Sequence, residues 1–544
     1  MSSKKLDRSV YFGGTIITMN AHQPFVDAVG IEGDKIKATG TLEEVKRKMK
    51  ENVKFINLEG KAMLPGFIDC HMHPMSFVFF SINLNLSSVR SLRELKKILR
   101  KTAKGKSEGE FILGLRLNEE NFKNAILPSR WDLDDACPEN PVFLLRYDSH
   151  IGVANSKALE LVDINVNTKI PEGGEIRINE NGELTGVISE NALTLIYSKI
   201  DKYVIPELKF FQESTEKAFK ILAEKGITSI HGIIQLGKTR ESGSLGPIET
   251  PLFKSVQEKI LQNWYGIIAT EKPKKIIKIK KPPLDGGKED SKFKIGSLKL
   301  FLDGTFGAKT ACMWEPFSDA PGMCGFCVVD EDEIYEQMKV AHNNGLQISI
   351  HVIGDKGNRI CVDLFKRLLK EFPRDNHRHR IEHASMLTND VIKDMKKYGI
   401  IASCQPPFIN SEYKWLEKRL GKERCKYTYP MKSIIEGGVV LISGSDAPIE
   451  DPNPILGLHA LVNRNGFIPE QCISMKEALK TYTISAAYGA FEEKIKGSIE
   501  VGKLADLVIL DRNPFEISSD KVRDIQVLET IIRGKTVFKR NNYL

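Results

Sequence analysis

The sequence predicts an α/β protein built on a closed (β/α)8 (TIM) barrel, and three observations predict it. Eight short β-branched or apolar runs alternate with helical stretches: Met63–Cys70, Ile227–Ile233, Trp264–Thr270, Leu298–Leu302, Gln347–Ile353, Arg380–Ala384, Ile400–Cys404 and Val439–Ser445. Such alternation gives parallel strands joined by crossover helices, and eight strands suffice to close a barrel. A chain of 544 residues also leaves room for additional modules around it. Finally, several runs end in His or Asp, at the strand ends where a barrel gathers its chemistry.

Taken in order, residues 9–58 read as short strands with turns at Gly13-Gly14 and Gly33-Asp34. The gap between the first and second runs is too long for one crossover, so residues from about 75 to 205 form an insertion. It holds a helix near Leu92–Lys104 and a hairpin, GGEIRINENGELTGVI, turning at Asn181-Gly182. An insertion here emerges on the C-terminal face of the barrel, which predicts a lid. Gln212–Lys225 is a helix with Phe219, Leu222 and Ala223 at helical spacing and Gly226 as its stop. Asp330–Asn344 is another, entered by an acidic cap and ended by Gly345. The tail returns to β character in LADLVILD and TIIRGKTVF, and pattern alone leaves open whether the two ends meet.

The composition, 41% hydrophobic and 28% charged, is that of an ordinary globular protein. A chain this long folds without disulfides or metal, so any metal site would serve chemistry. The segment MSSKKLDRSVYFGG lacks the apolar centre of a signal peptide, and no run approaches the roughly 20 apolar residues that span a bilayer. A cytoplasmic protein with no membrane partner is expected. Nine dispersed cysteines read as free thiols, including the one CxxC pair, Cys324 and Cys327, which has no second pair nearby. Net charge is +8, part of it from Lys272–Lys281, ahead of Pro282 and Pro283. Without interleaved aromatics this stretch reads as a solvated loop, not a nucleic-acid surface.

The strongest local signal is Asp69-Cys70-His71-Met72-His73 at the end of the first run. Residues two apart on a strand share a face, so His71 and His73 would both enter the barrel mouth and share a divalent cation. His351, His383 and Asp446 close the fifth, sixth and eighth runs, and barrel geometry makes these strand ends converge. Lys299 lies inside the apolar strand Ser297–Leu302. A buried ammonium needs a partner, such as Asp303, or loss of its charge, for instance as a carbamate bridging two metals. Such a cation lowers the pKa of bound water from about 15.7 to about 7, a shift of roughly 9 units or about 12 kcal/mol. The hydroxide so formed attacks, with Asp446 shuttling its proton to the leaving amine.

These motifs resemble the amidohydrolase superfamily almost end to end. LPGFIDCHMHP resembles its first-strand signature. SLKLFLDGTFGAKTA, HVIGDKGN, HRIEHAS, SCQPPF and SGSDAPIEDPNP resemble its family 3 branch, which includes N-substituted formamide deformylases. GGTIITMN and GSIEVGKLADLVILD resemble the two halves of that branch's composite β-sandwich. The resemblance therefore implies sandwich halves at 1–62 and 496–544 flanking a barrel over 63–495. It also implies that His71, His73, His351, His383 and Asp446 are metal ligands and that Lys299 is carboxylated. His150, in RYDSHIGVANSKAL, would face the substrate, and Glu190 and Gln405 are further substrate-side candidates.

LRLNEENF departs from a place where relatives often carry tryptophans, and His231, at the end of the second run, has no role in this scheme. The expected activity is hydrolysis of a non-peptide carbon–nitrogen bond in a small molecule, an amide or N-acyl or N-formyl amine. Deamination or cyclic-amide cleavage on the same site is the alternative, and a catalytically dead scaffold is disfavoured because every ligand position is filled. Zinc is the first expectation for the metal, as one or two ions. Nothing in the sequence fixes oligomeric state, which leaves room for a homo-oligomer.

Overall fold

The computed structural model describes residues 7–49, 52–147, 151–171, 174–190, 192–204, 208–236, 248–281, 285–288 and 290–541. They divide into two compact units, Met1–Met75 with Glu216–Leu544, and Ser76–Thr215.

In the larger unit, apolar runs alternate with helices and form eight parallel strands. These are β1 (Phe67–Met72), β2 (Ile227–Gln235), β3 (Asn263–Ala269), β4 (Phe293–Phe301), β5 (Gln347–Val352), β6 (Arg380–His383), β7 (Ile401–Cys404) and β8 (Leu441–Ser443). Most of their residues are buried, as parallel strands under helices must be. Spatial order follows chain order from β1 to β8. The two edge strands approach each other: Asp446 N donates to His71 O and His73 N to Ala447 O, both at 2.7 Å. The sheet is thus a nearly closed barrel of the TIM type. Asp330 caps the helix Glu331–Asn343 by accepting from Asp332 N and Glu333 N.

Two strand details differ from the sequence expectation. The run Met63–Cys70 is two strands, because Ala62–Pro65 pairs outside the barrel and only Phe67 onward enters it. Gly66 between them has no room for a side chain, since a Cβ there would lie 2.2 Å from Thr228. Gly13-Gly14 is not a turn but a break in register inside the strand Arg8–Ile17. Gly13 has φ +75°, and a Cβ on Gly14 would meet Lys61 O at 2.3 Å, so the strand bends closely past its neighbour.

The chain ends share one sheet. Ala62–Pro65 runs parallel to Arg8–Ile17 on one side and antiparallel to Leu507–Leu510 on the other. Val29, Ile31, Met63, Leu507 and Ile509 pack into its core. The basic stretch forms a short helix, Lys274–Ile279, instead of a plain loop, because Ile276 is buried and anchors it.

The smaller unit has its own six-stranded sheet. Its core includes Leu95 and Leu99 from the helix Leu92–Ala103, with Ile112, Leu133, Val142 and Leu144. The expected hairpin is present, Gly174–Ile178 against Leu184–Glu190, with Gly182 at φ +79° in its turn. Among the described residues no helix is long and apolar enough to cross a membrane.

Candidate active site

The end of β1 and the segment after β8 are bound into one piece by Asp69. Its Oδ1 accepts from Ser445 N at 2.9 Å and His71 N at 3.1 Å, and Oδ2 accepts from Ser445 Oγ at 2.5 Å. Burial raises its carboxyl to about 6, against the bonds from Ser445 and His71. Gly444 allows this closeness, since a Cβ there would lie 2.4 Å from His71 N. As a result Asp446 Oδ1 sits 3.3 Å from both His71 Nε2 and His73 Nε2. Ligand-capable atoms of His71, His73 and Asp446 all lie within 4.8 Å of one another, and all three residues are buried.

His383, ending β6, brings its ring to 4.9 Å from that of His71 and 4.3 Å from that of His351 at the end of β5. Both His383 and Asp446 have left-handed backbone, φ +70° and +61°, a strained geometry that redirects their side chains as the strands end. His351 Nε2 lies 3.2 Å from Gly304 O. Lys299 is buried inside β4, with Nζ 4.8 Å from the centre of the Phe301 ring. Asp303, its expected ion-pair partner, instead accepts from three backbone amides, Cys312 N, Ile353 N and Gly354 N, at 2.8–2.9 Å. Gln405 is buried, with Nε2 donating to Ser403 O at 3.1 Å. Glu190 lies at the end of the strand Leu184–Glu190 in the smaller unit. His150 falls outside the described residues.

Sequence reasoning missed the support behind His71. Glu382 Oε2 holds His71 Nδ1 at 2.6 Å, and both side chains are fully buried. Arg380 pairs with Glu382 at 2.7 Å, and its other nitrogens reach Cys70 O at 2.7 Å, Ser403 Oγ at 2.9 Å and His231 Nδ1 at 3.0 Å. His231 thus gains a role as the buried acceptor for Arg380. The signal was present in HRIEHAS, where Arg and Glu two apart on a buried strand share a face and need partners.

Electrostatics follow from this packing. Burial and the Lys299 charge depress His351 to about 3, and burial also lowers His73 and, with His351, His383. Burial and Lys299 also oppose charge on His71, but Glu382 and Asp446 outweigh them and raise it. Burial opposes ionisation of Asp446, yet His71 and His73 hold its carboxyl well below the usual range. Arg380 and His71 do the same for Glu382. His71 Nε2, His73 Nδ1, His383 Nδ1 and Asp446 Oδ1 are buried without a hydrogen-bond partner among the described residues. Imidazole nitrogens and a carboxylate left unsatisfied in one place fit a divalent cation.

Known proteins agree with this picture. The amidohydrolase family model matches residues 54–538. The putative amidohydrolase YtcJ of Bacillus subtilis is 28% identical over 552 residues, 98% of this chain and 100% of that protein. N-substituted formamide deformylase of Arthrobacter pascens is 24% identical, covering 96% of this chain and 97% of its own length. The crystal structure of an uncharacterised metal-dependent hydrolase from Pyrococcus furiosus matches with TM-score 0.73 at 29% identity, over 94% of this chain and 100% of that one. A match that begins in the terminal sheet, runs through all eight barrel strands and includes every residue gathered at their ends shows that this chain belongs to the amidohydrolase family, as a hydrolase of carbon–nitrogen bonds other than peptide bonds.

Proposed function

We propose that this enzyme hydrolyses an amide or N-acyl or N-formyl amine in a small molecule, using His71, His73, His351, His383 and Asp446 as metal ligands. Lys299, if carboxylated, would help to hold a second ion. The observation that carries this reading is the set of buried, unsatisfied imidazole and carboxylate atoms at the ends of β1, β6 and β8. Zinc suits a nitrogen-rich set with carboxylate. A bound divalent ion supplies Lewis acidity toward a carbonyl and brings the ionisation of water to about neutral pH.

The chain's own groups do the rest. Glu382 accepts the Nδ1 proton of His71, which fixes the tautomer and leaves Nε2 as a lone pair. Asp446, kept ionised beside both β1 imidazoles, takes the proton of the attacking water and delivers it to the departing nitrogen. Gln405, with Oε1 unsatisfied among the described residues, is suited to orient a substrate N–H. By family resemblance alone His150 and Glu190 are proposed to bind substrate, and their alanine variants should raise KM more than they lower kcat. The deformylase relative makes N-formyl amines the first substrates to try.

The test is elemental analysis of the purified enzyme followed by turnover of N-formyl and N-acyl amines with and without chelator. One or two divalent ions per chain and chelator-sensitive release of amine are expected. Chelator-insensitive turnover, or no bound divalent ion after metal loading, would overturn the reading.

A further inference from the structure

The segment after β4 carries a feature that the hydrolytic site does not use. Cys312 Sγ and Cys327 Sγ lie 3.2 Å apart, fifteen residues apart in sequence. The sulfur in contact with Cys327 therefore belongs to Cys312, not to its CxxC partner Cys324. Both are held in place by backbone bonds. Cys312 N donates to Asp303 Oδ2 at 2.9 Å, and Cys312 O accepts from Gly357 N at 3.0 Å. Next to Cys327, Val328 N donates to Leu302 O at 2.8 Å, just beyond the end of β4. Cys312 is 4% exposed while Cys327 is partly open to solvent.

We infer that Cys312 and Cys327 form a peroxide-oxidisable dithiol, a modification site with Cys327 as the attacking sulfur and Cys312 as the resolving one. The geometry divides the roles, since only Cys327 offers solvent access while Cys312 is buried against it. The hydrogen bond from the Cys312 thiol favours thiolate at Cys327, lowering it to about 7, and the nearby Lys356 ammonium helps. In the first step the Cys327 thiolate attacks one peroxide oxygen, the O–O bond breaks, and water leaves once the departing hydroxide is protonated. In the second, the Cys312 thiol displaces hydroxide from the Cys327 sulfenic acid, giving the disulfide and a second water. Two thiols thus lose two electrons and two protons, and one peroxide becomes two waters. The sulfurs need to approach by only about 1 Å to bond.

The site is tested on the whole protein, with one equivalent of hydrogen peroxide and thiol counting after denaturation. The nine cysteines should fall to seven reactive thiols, with a mass loss of about 2 Da, and reductant should restore all nine. Trp314, Met323 and Phe326 are exposed and lie within the 312–327 ring. Fragments cut there by chymotrypsin should therefore stay linked until reduced. Cys324→Ser should behave like the parent protein. Cys312→Ser should stop at a sulfenic acid on Cys327 that dimedone captures. A Cys324–Cys327 disulfide in the peptide map would overturn the proposal, as would retention of all nine thiols. None of these readouts depends on turnover, so failure here is separable from failure of the proposed activity.

Discussion

The barrel holds two clusters of histidines, one at each end, and they differ in what their nitrogens meet. At the C-terminal end, His71, His73, His351 and His383 surround Asp446, and several of their ring nitrogens lack hydrogen-bond partners among the described residues. At the N-terminal end, His342, His377 and His379 are as close, with ring centres 4.4–5.2 Å apart. There every nitrogen is used. His342 Nε2 reaches Phe372 O at 2.9 Å and His377 Nε2 reaches Tyr398 O at 2.8 Å. His379 Nε2 meets His342 Nδ1 at 2.9 Å, while His379 N donates to His377 Nδ1 and Ile348 N to His379 Nδ1. Three neutral imidazoles close that network with nothing left over. Proximity of histidines alone therefore does not support a metal site; the proposal for the C-terminal end rests on unsatisfied nitrogens beside a carboxylate. The strand β6 joins the two clusters, with His379 preceding it and His383 ending it.

The sharpest way to break this comparison is to remove one member from each end. His71→Ala should lower kcat/KM by at least about 1,000-fold and reduce bound metal, because a proposed ligand and its Glu382 bond both go. The metal-free protein should also unfold somewhat more readily, because the buried bond to Glu382 is lost, but the dominant effect is on bound metal and turnover. His379→Ala should do the reverse. It deletes a ring that stacks on Phe365 and leaves two buried groups unpaired, costing about 2–4 kcal/mol of stability. Metal content and kcat should stay near the parent values. Equal loss of activity in both variants would erase the distinction.

Proton linkage separates the ends again. Burial lowers His342 and His379, and brings His377 to about 4. These groups stay neutral in the fold while the unfolded chain takes up protons below about 6.5. Stability is therefore full above pH 6.5 and falls as pH drops toward 4, by up to about 3 kcal/mol for His377 alone. Thermal unfolding of chelator-treated protein at pH 7 and pH 5 checks this. The midpoint should drop on acidification, and His377→Asn should flatten the dependence. A midpoint that rises between pH 7 and pH 5 would contradict the satisfied-network account.

How much of this could be read from residues alone differs between the ends. The strands that carry the proposed ligands were legible because β-branched runs finishing in His or Asp combine two signals, burial and chemistry, at one position. HxH in DCHMHP and the histidines closing QISIH and HRIEH needed no tertiary knowledge. The splitting of Met63–Cys70 was not legible, because an apolar run looks the same whether one sheet or two bury it. Nor was the left-handed backbone at His383 and Asp446, which local sequence disfavours and only the surrounding structure imposes. The partnership of Cys312 with Cys327 defeated a search for CxxC spacing, since loop folding and not sequence distance sets it. The pairing of His231 with Arg380 was opaque for a similar reason: the bond between them joins β2 to β6 across the barrel interior.

That interior bond leads to the mildest and most discriminating variant. Glu382→Gln keeps the shape of the side chain, so packing survives, but removes the charge that sits between Arg380 and His71. A neutral amide can still accept the Nδ1 proton of His71, so the tautomer is preserved. What it loses is the carboxylate's ability to make that imidazole a stronger electron donor. Metal affinity should fall by about 10- to 100-fold, read by competition with a chelator, and turnover at saturating metal should recover most of the parent rate. The variant should also unfold more readily, because Arg380 loses its buried counter-charge, and if Glu382 served only that purpose metal affinity would be unchanged. A drop in affinity with an intact fold ties the carboxylate to His71. The unsatisfied nitrogens at this end of the barrel would then be electronically tuned as well as unpaired, which the satisfied histidines at the other end have no means to be.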